Sequence, residues 1–213
     1  WGDVQRQAYY VHNYPTNAAE SFKTFQTQFI KDPSTFLTNS AAEFSFATQK
    51  EAGKTSVDDI IQIDIDGPLN DSYVKVSEVV QEENYFSITF KTLEGHIETG
   101  EIIFSGTYDK ETGEISFNIN SISRMNQGSA AIFSDYSHSE QRASWIEVLE
   151  NVNNGIEGEG GVGFKIKTYE YSDKSTDGTG KLLNTYELGW ATQYAGTGTT
   201  GTTGTGGTTT STT

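Results

Sequence analysis

"GEIIFSGTYDKETGEISFNINSIS", residues 100–123, is the stretch that decides how the chain is read. Two runs alternate apolar and polar residues around Asp109-Lys110-Glu111-Thr112-Gly113, where the glycine can take the positive φ that a short loop demands. This is a β-hairpin signal, and it sets a period of two that can be followed outward. Upstream, "IIQIDID" sets Ile61, Ile63 and Ile65 against Gln62, Asp64 and Asp66, and "GPLND" turns the chain. "YVKVSEVVQEENYFSITFKTLEG" continues with Phe86, Ile88 and Phe90 inward and Ser87, Thr89 and Lys91 outward. Downstream, "VGFKIKTYEY" and "KLLNTYELGW" flank "SDKSTDGTG" as a second hairpin. Residues 59–124 and 161–190 are therefore expected to form one antiparallel sheet.

Two segments carry the helical period instead. In "NAAESFKTFQTQFIKD", residues 17–32, Phe22, Phe25, Phe29 and Ile30 share one face, Asn17 and Glu20 stand at capping-box spacing, and Pro33 ends the run. In "SEQRASWIEVLENVNN", Trp145, Val148, Leu149 and Val152 form a stripe, with Gly155 as a stop, so a helix over 139–153 is expected across one sheet face. The preceding "DVQRQAYYVHNY" is read as a shorter helix anchored by Ala8, Tyr9 and Val11, and "STFLTNSAAEFSFAT" fits either state. The expected class is α+β: an N-terminal helical segment, a curved antiparallel sheet of about 5–7 strands and one packed helix near 139–153.

The chain has 213 residues, of which 196–213 contain only Gly, Thr and one Ser, so a single domain over 1–195 followed by a low-complexity tail is expected. With 12 Phe and 11 Tyr, the body has rings enough to build an interior. Lys and Arg number 14 against 29 Asp and Glu, a net charge of -15 that repels phosphate backbones and anionic membranes. The one candidate basic stripe, Lys165, Lys167, Lys174 and Lys181, is interrupted by Glu170 and Asp173. Nucleic acid and membrane insertion are accordingly not expected as partners. The absence of cysteine removes disulfides, thiolate nucleophiles and thiolate metal sites. Trp1 in place of Met suggests a processed chain or a piece of a larger one.

Candidate chemistry concentrates in "TLEGHIETGEIIFSG", residues 92–106. On an extended strand His96, Glu98 and Gly100 share one face while Ile97 and Glu101 take the other. Such a pair could serve as base and orienter or as metal ligands; the plainer reading is a hairpin entry whose polar side chains are structural. Arg124, after "SIS", could reach an anion with its planar fork or pair with a surface acid. His12 and His138 have no local partners in sequence. Asp173, Ser175 and Asp177 resemble the first half of a calcium loop whose closing acid is missing, since its twelfth position is Asn184; Asp64, Asp66 and Asp71 are similarly partial. Calcium is thus the one cofactor considered, and none is expected. Asn70 opens the N-glycosylation sequon "NDS".

The tail has eleven Thr and six Gly, so it has no apolar face to bury. It suits subunit contact or O-glycosylation at residues such as Thr199, Thr200, Thr202 and Thr203. Residues 88–152, through Leu93, Gly95, His96, Glu98, Gly100, Gly106, Asp109, Gly113, Gln141 and Trp145, resemble uncharacterised C-terminal domains of Rhs/YD-repeat proteins of Bacteroidetes. That resemblance implies a delivered effector or toxin, a reading that would gain if His96, Glu98 and Arg124 converged in one cleft. The leading expectation is a non-enzymatic structural or interaction module of a secreted or cell-surface assembly, partnered by copies of itself or a larger parent protein. The alternatives are the effector and a small-molecule-binding curved-sheet domain, which would show an apolar pocket lined by Phe and Tyr.

Overall fold

The computed structural model describes residues 2–66, 71–96, 98–126, 130–170 and 177–193, with side chains throughout these except for 130–139 and 186–193. Among the described residues nine strands form one antiparallel sheet: β1 (Val4–Tyr14), β2 (Ala42–Thr48), β3 (Ile60–Ile65), β4 (Ser72–Gln81), β5 (Tyr85–Thr92), β6 (Glu98–Tyr108), β7 (Ile115–Met125), β8 (Glu159–Tyr169) and β9 (Leu182–Gln193). Their order is β2-β3-β4-β5-β6-β7-β1-β8-β9, so a continuous meander is extended by the first strand and the last two. The helices α1 (Ala18–Lys31), α2 (Ser34–Leu37) and α3 (Ala130–Ile156) make this a mixed α+β domain dominated by its sheet.

The hairpin that opened the reading is β6 and β7, in register from Glu98 opposite Met125 to Tyr108 opposite Ile115. Its loop closes through Asp109 N donating to Glu114 O at 2.8 Å, and Asp109 Oδ1 accepts from Glu111 N at 2.8 Å. Gly113 has φ 74°, a conformation open to glycine at no steric cost.

Three expectations are corrected. Residues 4–14 are a strand, lying between β7 and β8, with Gln7, Tyr9, Val11 and Asn13 all turned toward the core. Two of those four inward side chains are amides, which conceals the period of two from a hydropathy reading. This strand and β2 raise the sheet to nine, beyond the expected five to seven. The second helix runs over Ala130–Ile156, past both ends of 139–153 and through Gly155, and the turn falls at Glu157, with φ 63°. Helix α1 matches its expected span, yet Asn17 makes no side-chain capping bond.

The core is a ring cluster. Phe25 and Phe29 of α1 meet Phe86 of β5 and Phe117 of β7 at centroid distances of 5.2–5.7 Å, and Phe36 of α2 joins them. Val148, Leu149 and Val152 of α3 are fully buried against the same sheet face, and Trp145 reaches Phe104 of β6 at 5.8 Å.

Candidate functional site

Along β7 the inward positions read Ile115, Phe117 and Ile119, then Ser121 and Ser123; along β6 they read Phe104 and Ile102, then Gly100 and Glu98. The apolar inward side chains give way to Gly100, Ser121 and Ser123 in register on neighbouring strands, so space is left unfilled over this end of the sheet. The result is a cavity of about 510 Å³ between the sheet and α3. Phe44 of β2, Ile63 and Ile65 of β3, Val74 of β4, Phe90 of β5, and Ile102 and Phe104 of β6 make its apolar wall. Glu140, Gln141, Ser144 and Trp145 face it from α3. A space of this size, mostly apolar with a few convergent polar groups, has the character of a ligand site.

The polar groups are connected. Glu98, only 6% exposed, accepts a hydrogen bond at Oε2 from Gln141 Nε2 at 3.3 Å. Gln141 Oε1 accepts in turn from Gln7 Nε2 at 3.0 Å, and the Tyr9 hydroxyl donates to Gln7 Oε1 at 2.7 Å. Burial pushes the Tyr9 phenol well up, with Glu98 adding to the rise and Arg142 opposing it. Tyr9 is therefore a neutral donor at the foot of the row, and α3 and β1 are tied across the core.

His96 is placed by the turn that ends β5, where His96 N donates to Leu93 O at 3.2 Å and Gly95 has φ 91°. Its Nδ1 accepts from Glu98 N at 3.1 Å, which leaves the ring proton on Nε2. Asn126 Nδ2 donates to the His96 carbonyl at 2.6 Å and locks the turn to the end of β7. Burial lowers the His96 pKa, opposed by the nearby Glu98 charge. An imidazole whose folded pKa lies below its unfolded value takes up its proton more readily when the chain unfolds. Stability is thus expected to fall as pH drops through about 6.5 toward the folded pKa, and His96→Gln should flatten that slope. Equal urea midpoints for the two proteins relative to their own pH 8 values, at every pH from 8 to 5, would contradict this.

The other candidate residues are spread out. Arg124 pairs in register with Thr99 and Val4 and alternates along β7 with the cavity-lining Ser123, so it does not share the cleft of His96 and Glu98. His12 Nδ1 lies 2.6 Å from Glu114 Oε1, and Tyr14 also bonds Glu114, which is held below the usual carboxylate range by those two contacts against the opposing effect of burial. The side chain of His138 lies outside those described, as do Asn70, Asp173, Ser175, Thr199, Thr200, Thr202, Thr203 and the rest of the tail. Asp177 caps its own turn, with Oδ1 accepting from Thr179 N at 3.1 Å. Asp71 raises the pKa of Asp64 by its charge, and among the described residues no group of three or more His, Cys, Asp or Glu is arranged to hold a metal ion. Sequence reasoning missed Gln7, Gln141 as a site group and the apolar wall; the shift from Phe and Ile to Ser and Gly at alternate positions was the legible signal.

Residues 40–150, just over half the chain, match the family model described as Domain of unknown function (DUF1990). The chain belongs to the DUF1990 family. The DUF1990 match contains every cavity-lining residue except Asn39. No curated protein matches the chain. Among solved structures it is similar to Ara h 8.0201, at 12% identity over 72% of this chain and 97% of that one, with a TM-score of 0.45. It is also similar to the ginseng major latex-like protein 151 from Panax ginseng, at 17% identity over 72% and 95%, with a TM-score of 0.44. A conserved protein from Geobacillus kaustophilus matches at 8% identity over 71% and 94%, with a TM-score of 0.45.

These findings correct the leading functional expectation. The structural module of an extracellular, filament-forming or glycosylated assembly was argued from the tail, whereas the DUF1990 match and the ligand-sized cavity both fall on the folded body. The stretch that carried the Rhs-like resemblance lies largely within the DUF1990 match, and the Rhs-like label is not supported. Among the described residues no helix is long and apolar enough to cross a membrane.

Proposed function

We propose that this domain binds a small, largely apolar molecule in the cavity between its curved sheet and α3. The observation that carries the reading is the cavity itself: about 510 Å³ bounded by Phe44, Ile63, Phe90, Phe104 and Trp145, with one buried polar row at its edge. A closed domain gains stability by filling such a space, since each contact missing from a void is lost dispersion energy. Its persistence amid so many available rings is what a binding role accounts for. The Glu98–Gln141–Gln7 row would orient the occupant through its polar end while the aromatic and aliphatic wall takes the remainder.

Titration with the neutral fluorophore N-phenyl-1-naphthylamine tests this. A saturable rise in emission with one site per chain is expected, and Ile63→Trp, which fills the wall, should abolish it while leaving the circular dichroism spectrum and the main unfolding transition in place. No saturable uptake by the native protein, or unchanged uptake by the filled variant, would exclude this cavity as the site.

A further inference from the structure

We propose that the cavity selects organic cations, namely amines whose protonated nitrogen is received by Glu98 while an apolar body lies against the rings. This rests on the ligand-binding reading above and adds the charge of the ligand to it. Glu98 is nine-tenths buried, at 6% exposure, and the carboxylate lines the cavity. Among the described residues its one side-chain hydrogen bond is the 3.3 Å contact from Gln141, a neutral donor, and no lysine or arginine forms an ion pair with it. A carboxylate removed from water ordinarily acquires a cation or several strong donors. Here a single neutral donor leaves the carboxylate with accepting capacity for a ligand.

The surroundings have the same sign. Asp66 and Glu140 also line the cavity, whereas among the described residues no lysine or arginine does. Glu101 touches the lining as well, but its carboxylate is engaged by Lys91 at 3.3 Å. Arg142 acts on Tyr9 and is not part of the wall. His96, with Nδ1 accepting from Glu98 N and its pKa depressed by burial, stands as a neutral ring. An ammonium is attracted into this field, and the lining includes the rings of Phe90, Phe104 and Trp145, side chains of the kind that can hold a cation. A carboxylate of the same shape would meet Glu98 as a buried like charge, with no lysine or arginine among the described lining residues to neutralise it.

Three probes with one apolar body decide the matter: 4-phenylbutylamine, 4-phenyl-1-butanol and 4-phenylbutyrate, titrated calorimetrically into the full chain at pH 7 and low salt. The amine is expected to bind at least about tenfold tighter than the alcohol, with the carboxylate weakest, and Glu98→Gln should cut the amine's advantage over the alcohol to less than about threefold. Should Glu98→Gln fail to fold, the ranking of the three probes on the native protein decides alone. An alcohol or carboxylate binding as tightly as the amine overturns the charge selectivity and leaves the binding reading standing. If none of the three binds and N-phenyl-1-naphthylamine does not enter either, both readings fall together.

Discussion

Phe29→Ala is expected to destabilise the domain by about 4 kcal/mol, a large fraction of the roughly 5–15 kcal/mol that holds a domain of this kind folded. Phe29 is fully buried at the centre of the ring cluster, with centroid distances of 5.9 Å to Phe25, 5.7 Å to Phe36, 5.2 Å to Phe86, 6.1 Å to Phe104 and 5.4 Å to Phe117. Its neighbours come from α1, α2, β5, β6 and β7, so no single element can move in to close the void. The loss is the transfer free energy of a benzyl group plus the residual cavity. Urea unfolding followed by circular dichroism should show a midpoint far below that of the native chain, or no folded baseline at all. A loss below about 1.5 kcal/mol would mean that the cluster is looser than these distances imply.

Gly160→Ala should be nearly as damaging, by about 3 kcal/mol, although it adds a single methyl group. A Cβ at this position would sit 2.4 Å from the His12 carbonyl oxygen and 2.5 Å from Asn153 Oδ1. The first of these is backbone in the adjacent strand β1 and cannot turn away. The second belongs to a buried pair in which Asn13 Nδ2 donates to Asn153 Oδ1 at 2.8 Å and to Gly158 O at 3.1 Å, joining β1 to the end of α3. Displacing Asn153 would leave that donor short of a partner in the interior, a further penalty of about 1–3 kcal/mol. Thermal melting that places Gly160→Ala within two degrees of the native chain would contradict this account.

How much was legible follows from what each residue was asked to reveal. Phe22, Phe25, Phe29 and Ile30 announced α1, and the alternations around Ile61, Phe86 and Phe104 announced the central meander, because each apolar face lies within one short segment and repeats at the period of its own backbone. His96 and Glu98 could be singled out as neighbours on one strand face for the same local reason. Gln7, Gln141 and Trp145 could not be joined to them, since the hydrogen bonds of this row link residues 134 and 43 positions apart.

The sequence by itself determined the class of the domain, the place of its hairpins, the amphipathic α1 and the acidic field that disfavours polyanions. The tertiary structure decided that residues 4–14 are a strand, because Gln7 and Asn13 become good inward residues only when Gln141, Asn153 and Gly158 arrive to bond them. It also decided that the small residues Gly100, Ser121 and Ser123 border a cavity and are not filled over. Periodicity reports which side of an element avoids water; whether the space beyond is packed or vacant depends on the side chains that meet there from distant parts of the chain.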